Sequence, residues 1–155
     1  MHLFMRSHWH FAIIKLLRQD IATQISSMSI RHRITNPLKK KANKGFRGYP
    51  VATVAYYGPD DKIASKVSVG IILEEGSEPA YMERWRLEQG DVRIDRAINK
   101  QIMESIGKYP IRSVVITDRI IGCPHEEGID YPEGDSCPKC PYWALRDRWT
   151  GEVIR

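Results

Sequence analysis

Long apolar runs and paired cysteines are what this sequence lacks. No run approaches about 18 uncharged apolar residues, so no transmembrane helix is predicted. The chain has three cysteines, an odd number that cannot pair completely within one molecule. This argues against the disulfide framework of small secreted domains and favours a reducing cytoplasm in which thiolates bind metal. We therefore expect a cytoplasmic protein.

Acidic residues are nearly missing from the first third of the chain. The first 50 positions carry ten Lys/Arg and one Asp, whereas residues 51–155 carry fourteen Lys/Arg and eighteen Asp/Glu. The net charge of +5 therefore belongs to the N-terminal third, and the remainder is mildly acidic. Net basicity is consequently poor support for nucleic-acid binding by the domain itself.

Residues 1–47 are predicted to form a basic, flexible N-terminal extension. Apolar residues between 11 and 25 recur three or four apart, which indicates an amphipathic helix. Lys15 interrupts this stretch and no small-residue cleavage site follows, which disfavours a signal peptide. Between 31 and 47, low apolar content and like charge predict a solvated arm. Three lysines of this arm are candidates to contact nucleic-acid phosphates or an anionic membrane, the alternative being a leader without a ligand: Lys39, Lys40 and Lys41.

Residues 48–155 predict one small α+β domain. Segments rich in β-branched and aromatic residues, bounded by Gly, Pro and Asp, predict strands at 51–57, 66–73 and 112–117. Residues 81–87 fit a strand by alternation or a helix by the spacing of Tyr81 and Trp85, and we expect a strand there. Asp95 can cap a helix that extends to Lys108, since Ile98, Ile102 and Ile106 recur four residues apart. We predict a small antiparallel sheet with one main helix and a zinc-binding C-terminal segment over 118–150.

All three cysteines and one histidine lie within eighteen residues of one another. Zinc binds Cys sulfur and His nitrogen in a tetrahedron, usually as two close pairs separated by a loop. Each cysteine is followed by proline, which restrains the cysteine to an extended conformation and keeps its thiolate oriented. The sequence therefore predicts a zinc knuckle with the ligands Cys123, His125, Cys137 and Cys140.

A catalytic zinc site is the competing interpretation of the same residues. It would use three protein ligands and a water, with Glu127 as general acid/base, and is similar to the signature of zinc deaminases. Nine residues separate Glu127 from Cys137, too few for the helix and strand that such sites place there. Ser136 stands where that signature has proline, and Cys123 would have no role. A closed, structural site is the better prediction; three buried thiols beside a surface histidine are a further alternative.

Aromatic and basic residues follow the last cysteine. They can pack over the metal site, or they can form a face that stacks and binds single-stranded nucleic acid. The candidates for such contacts are Lys139, Arg146, Arg148 and Trp149. The sequence thus favours a zinc-stabilised binding module with nucleic acid as the first candidate partner. The alternatives are a zinc hydrolase or deaminase-like enzyme and a protein-interaction adaptor.

Four phrases of the sequence carry a resemblance. They are Ala55-Tyr-Tyr-Gly-Pro-Asp-Asp61, Gly122-Cys-Pro-His-Glu-Glu-Gly-Ile-Asp-Tyr-Pro132, Cys137-Pro-Lys-Cys-Pro-Tyr-Trp143 and Arg146-Asp-Arg-Trp-Thr150. Together they resemble a group of small uncharacterised bacterial proteins. The resemblance covers residues 48–150 and leaves the first 47 outside it. It implies no activity.

Overall fold

The computed structural model describes residues 36–147 and 152–154. The predicted helix at 11–25 lies outside these residues. So do Arg148 and Trp149, two of the candidates for nucleic-acid contact. No helix in the described ranges is long and apolar enough to cross a membrane.

A four-stranded sheet forms the centre of the protein. Its spatial order is β3-β2-β1-β4, and the strands are β1 (Val51–Tyr57), β2 (Lys66–Ile72), β3 (Tyr81–Arg86) and β4 (Ser113–Ile120). The first three strands pair antiparallel in sequence order, as expected for strands joined by short turns. Each lies within a residue or two of its predicted position.

The fourth strand departs from the predicted antiparallel sheet. β4 pairs parallel with β1, with Val51 opposite Ser113, so the sheet is mixed and the prediction of a purely antiparallel sheet is wrong. The reason is the path of the chain after β3. It returns through a helix to the end of the sheet where β1 begins, and the Arg112 N–H donates to the Pro50 carbonyl at 2.9 Å. Both strands then run away from the same end.

One main helix covers one face of the sheet, in agreement with the sequence. α2 (Arg96–Gly107) begins after Asp95, whose carboxylate accepts a hydrogen bond of 2.8 Å from the Ile98 N–H. Its predicted apolar stripe of Ile98, Ile102 and Ile106 is buried against alternate residues of the strands. Burial of such a stripe is what stabilises an amphipathic helix in a folded domain.

A shorter helix lies within the segment that was predicted to be a flexible extension. α1 (Pro37–Ala42) begins after Asn36, whose side chain accepts from the Leu38 N–H and donates to Asn99 Oδ1 of α2 at 3.0 Å. The Leu38 side chain is 0% exposed and joins the main core. Residues 36–42 therefore pack against the domain instead of forming a solvated arm. The boundary at residue 47 stays a prediction.

Candidate metal centre

The end of β4 delivers the first ligand pair to the turn between β1 and β2. The Ile121 N–H donates to the Tyr56 carbonyl at 2.9 Å, and the Gly58 N–H donates to the Gly122 carbonyl at 3.0 Å. The Trp143 indole N–H donates to the Gly58 carbonyl at 2.8 Å. Gly58 thus holds the chain on both sides of the cysteine and histidine cluster.

Glycine is required at position 58 by the close approach of the backbone. A Cβ atom added there would lie 2.2 Å from the Ile63 carbonyl oxygen, far inside van der Waals contact. The glycine therefore allows the turn to close. It thereby allows both hydrogen bonds to residues 121–146, which carry the predicted ligands and are called the metal segment below.

The four predicted ligands converge on one point. Their ligand atoms all lie within 4.8 Å of one another. His125 Nδ1 lies 3.3 Å from the Cys123 sulfur, 3.5 Å from that of Cys137 and 3.4 Å from that of Cys140. A ring nitrogen carries one proton or one lone pair, so it cannot form hydrogen bonds with three sulfurs at once. A tetrahedral ion at about 2.0–2.3 Å from its ligands separates neighbouring ligand atoms by roughly 3.3–3.8 Å, which these distances match. The four side chains are positioned to bind a metal ion.

The environment of the cluster disfavours free thiolates. The three cysteines are between 1% and 9% exposed. Burial raises the pKa of the Cys123 and Cys140 thiols. Burial, and then the positive charge of Lys139, lowers the pKa of His125, which favours the neutral imidazole that binds metals. A bound cation is what would stabilise three thiolates in this position.

Short backbone contacts orient the ligands. The His125 N–H donates to the Cys123 sulfur at 3.3 Å, which closes the Cys-x-His pair. The Cys140 N–H donates to the Cys137 carbonyl at 3.2 Å, which turns the second pair towards the first. A short 3-10 helix, Pro141–Trp143, follows and places the Trp143 ring against both the cysteines and the main core. This is the aromatic cover that the sequence offered as an alternative to nucleic-acid stacking.

The loop between the ligand pairs is held by its own hydrogen bonds. The Glu126 N–H donates to Asp130 Oδ2 at 2.7 Å, and the Gly134 N–H donates to Glu127 Oε1 at 2.7 Å. Tyr131 is 7% exposed and packs with the cysteines. The carboxylate considered above as a catalytic acid/base, that of Glu127, therefore has a structural partner within the loop.

Three cations that the sequence did not single out surround the carboxylate of Glu126. Its Oε1 lies 2.6 Å from Lys66 Nζ, 3.3 Å from Arg84 Nε and 3.7 Å from Arg86 Nη2. Lys66 Nζ also donates to the Pro124 carbonyl at 3.1 Å. The sequence signal was the alternation of Arg84 and Arg86 along a strand, which puts both on one face. Contact with Glu126 depends on the tertiary fold.

The candidates for nucleic-acid contact are divided between two parts of the fold. Lys39, Lys40 and Lys41 are exposed on α1, whose Leu38 belongs to the main core. Lys139 is exposed between two of the predicted ligands, Cys137 and Cys140. The Arg146 guanidinium lies over the Tyr142 ring at 4.3 Å, so this pair already forms a cation–π contact.

The geometry of the cluster is therefore the basis for assigning a function. It combines three sulfurs and one nitrogen, a donor set that fits zinc without identifying the metal. Compared with known proteins, the chain matches no family model, no curated protein and no solved structure.

Proposed function

We propose that the protein is a zinc-stabilised binding module in which the metal has a structural role. The observation that carries the proposal is the placement of three cysteine sulfurs within 3.3–3.5 Å of one imidazole nitrogen. Three thiolates and one imidazole complete a tetrahedron, and a completed tetrahedron leaves no position for a reactive water. Zinc binding of this kind contributes on the order of 10 kcal/mol to folding.

Two contacts favour the structural role over a catalytic one. Cys123 takes the fourth position that a catalytic site reserves for water. Glu127 accepts a hydrogen bond from the loop at Gly134, which gives its carboxylate a structural task. The small cluster of cysteines with Tyr131 buries little apolar surface, so this segment depends on a cross-link such as a metal.

A Cys123→Ser variant separates the two roles. The closed site predicts that the purified parent contains about one zinc per chain, and that the variant loses zinc and the order of residues 121–146. Metal content by mass spectrometry and amide NMR spectra measure both. Ser136→Ala is the matched control, because Ser136 is exposed beside Cys137 and carries no ligand atom. Retention of zinc and of the fold by Cys123→Ser, with an exchangeable metal-bound water, would contradict the proposal and support a hydrolase or deaminase-like enzyme.

Nucleic acid is the first candidate ligand of this module. The exposed lysines of α1 support it, because adjacent cations on one short helix bind phosphates by releasing counterions. Anisotropy with single-stranded RNA and DNA at about 50 mM salt tests it, since phosphate contacts are strongest at low salt. A variant with glutamine at Lys39, Lys40 and Lys41 should bind more weakly, whereas Lys100→Gln on α2 serves as an exposed control. Failure of both nucleic acids to bind at this salt would remove nucleic acid as the ligand.

A further inference from the structure

β3 forms one edge of the sheet. Within the described ranges, β2 pairs with one side of β3 and no strand pairs with the other. Six residues, Tyr81–Arg86, make up this edge, and most of them are exposed. An exposed strand edge presents backbone donors and acceptors in register, and proteins bind extended segments by adding them as a further strand.

The register identifies the backbone groups that point outwards. The Leu87 N–H donates to the Ser65 carbonyl at 2.9 Å, and the same register pairs Val67 with Trp85. In an antiparallel pair, hydrogen-bonded positions alternate along the strand. The odd-numbered residues of β3 therefore bond to β2. The residues whose N–H and C=O point away from the sheet are Met82, Arg84 and Arg86.

The same three residues share the sheet face opposite α2. Their register partners on β2 are Gly70, Ser68 and Lys66. The side chains of Arg84 and Arg86 are 44% and 50% exposed, so both remain accessible to a partner.

Lys66, Arg84 and Arg86 form a row of cations on this face, and carboxylates of the protein itself already contact it. Glu126 Oε1 contacts Lys66, Arg84 and Arg86, and Asp130 Oδ2 lies 4.0 Å from Arg86. Three cations thus face two carboxylates, which leaves one positive charge in excess. A segment added along β3 would place alternate side chains beside Arg84 and Arg86 on the same face of the sheet, because alternate residues of a strand share a face.

We propose that the outer edge of β3 binds an extended acidic peptide segment, with carboxylates at alternate positions facing Arg84 and Arg86. A second copy of the chain fits this edge poorly, because pairing two β3 edges would bring the arginines of both strands together on one face, where like charges repel. The proposal gives a partner to the proposed binding module and rests on that module being folded. Zinc content, measured in parallel with peptide binding, distinguishes a failure of one from a failure of the other.

The test uses the zinc-loaded full chain, labelled with 15N, and a capped synthetic peptide, Thr-Glu-Val-Glu-Val-Glu-Thr. At about 50 mM salt, peptide binding should protect the amides of Met82, Arg84 and Arg86 from exchange. Replacing the glutamates by glutamine should weaken binding about tenfold, since two exposed charge pairs are lost. Replacing the central glutamate by proline should abolish binding, because proline removes a donor and disrupts strand pairing. Both controls leave the protein itself unchanged.

Variants of the protein separate the backbone from the charges. Met82→Pro removes one outward N–H while keeping both arginines and the bonds to β2, so it should abolish binding; Met82→Leu is its matched control. Arg84→Gln should weaken binding of the acidic peptide and leave the affinity for the glutamine peptide unchanged.

Three outcomes would overturn the proposal. The first is no protection of these amides at about 1 mM peptide. The second is equal affinity for the glutamate, glutamine and proline peptides. The third is protection of the same amides by a single-stranded oligonucleotide and not by the peptide, which would assign the edge to nucleic acid.

Discussion

Lys66 is a charged residue in a buried position, where loss of hydration destabilises the charge. Its side chain is 3% exposed, and its ammonium donates to Glu126 and to the Pro124 carbonyl. Burial lowers the pKa of Lys66, and the hydrogen bond to Glu126 opposes this. Burial alone would raise the pKa of Glu126, but the hydrogen bond from Lys66 and the positive charges of Lys66, Arg84 and Arg86 together outweigh burial and lower the pKa. We therefore expect an ionised pair that joins the metal segment to β2.

Glu126→Gln should destabilise the protein by about 2 kcal/mol, because it leaves the buried Lys66 ammonium without its counter-charge. Lys66→Met combined with Glu126→Gln should be less destabilising than the sum of the single changes, since the double variant buries no unpaired charge. Urea unfolding of the zinc-loaded protein measures the cycle. Glu133→Gln, in the exposed part of the same loop, is the control. Additive effects would show that the pair does not act as a unit.

Asp91 makes an ion pair with Arg93. Burial would raise its pKa, but hydrogen bonds from Arg93, the closest at 2.5 Å, outweigh this and lower it. A carboxyl group with a lowered folded-state pKa contributes stability above its unfolded pKa and loses it as the pH falls through the folded value. Asp91→Asn should therefore cost about 1 kcal/mol at neutral pH, and the difference from the parent should shrink below about pH 4. Unfolding of both proteins at each pH measures it, because metal release is common to the two. A difference that stays constant down to acid pH would contradict this account.

At the scale of elements, the β1–β2 turn joins the sheet to the metal segment. Gly58 contributes both its N–H and its carbonyl to that segment. The turn therefore connects the hairpin to the metal segment through two hydrogen bonds. A change in its backbone should affect metal binding as well as the hairpin.

Gly58→Ala should destabilise the protein by about 1–3 kcal/mol and weaken zinc retention, because the added Cβ meets the Ile63 carbonyl at 2.2 Å. Gly107→Ala is the matched control. Nothing lies within 4 Å of a Cβ at the end of α2, so the same change there should be neutral or slightly stabilising. Thermal unfolding and competition with a chelator measure the two effects. Equal behaviour of the two variants would show that the turn is not the link.

At the scale of the whole molecule, the described residues form three hydrophobic clusters. The main cluster lies between the sheet and its helices, the cysteine cluster consists of the three cysteines with Tyr131, and the third consists of Ala55, Tyr57 and Ile121. Trp143 packs against the main cluster and the cysteine cluster. We expect the main cluster to persist without metal, and the cysteine cluster to lose its contacts because it buries too little apolar surface to hold without a cross-link.

Chelation should therefore unfold the metal segment selectively. Hydrogen exchange after complete zinc removal should show loss of amide protection between 121 and 146, while β1, β2 and α2 keep most of theirs. Readdition of zinc should restore protection, which controls for irreversible damage. Unchanged exchange and unchanged thermal stability in the metal-free protein would remove the structural role of the metal.

Local features of this protein followed from its sequence. Enrichment in β-branched and aromatic residues predicted β1 and β2, and alternation favoured β3. The four-residue repeat of Ile98, Ile102 and Ile106 predicted α2, because periodicity reports which face of an element is buried. The close spacing of Cys137 and Cys140, and of Cys123 and His125, predicted the ligand cluster, because ligands a few residues apart can reach one ion without help from the rest of the fold.

Features that join distant parts of the chain were decided by the tertiary structure. The parallel pairing of β4 depends on where α2 returns the chain, and the packing of α1 depends on one leucine, Leu38, within a run of lysines. The contact between Lys66 and Glu126 joins residues that are 60 positions apart, and no local pattern in the sequence indicated it. Sequence patterns are short-ranged, whereas burial and ion pairing are properties of the assembled surface. The predicted metal ligands lie close together in the sequence, so a short pattern identified them. The charged edge beside them is assembled from distant residues, so no sequence pattern could predict it.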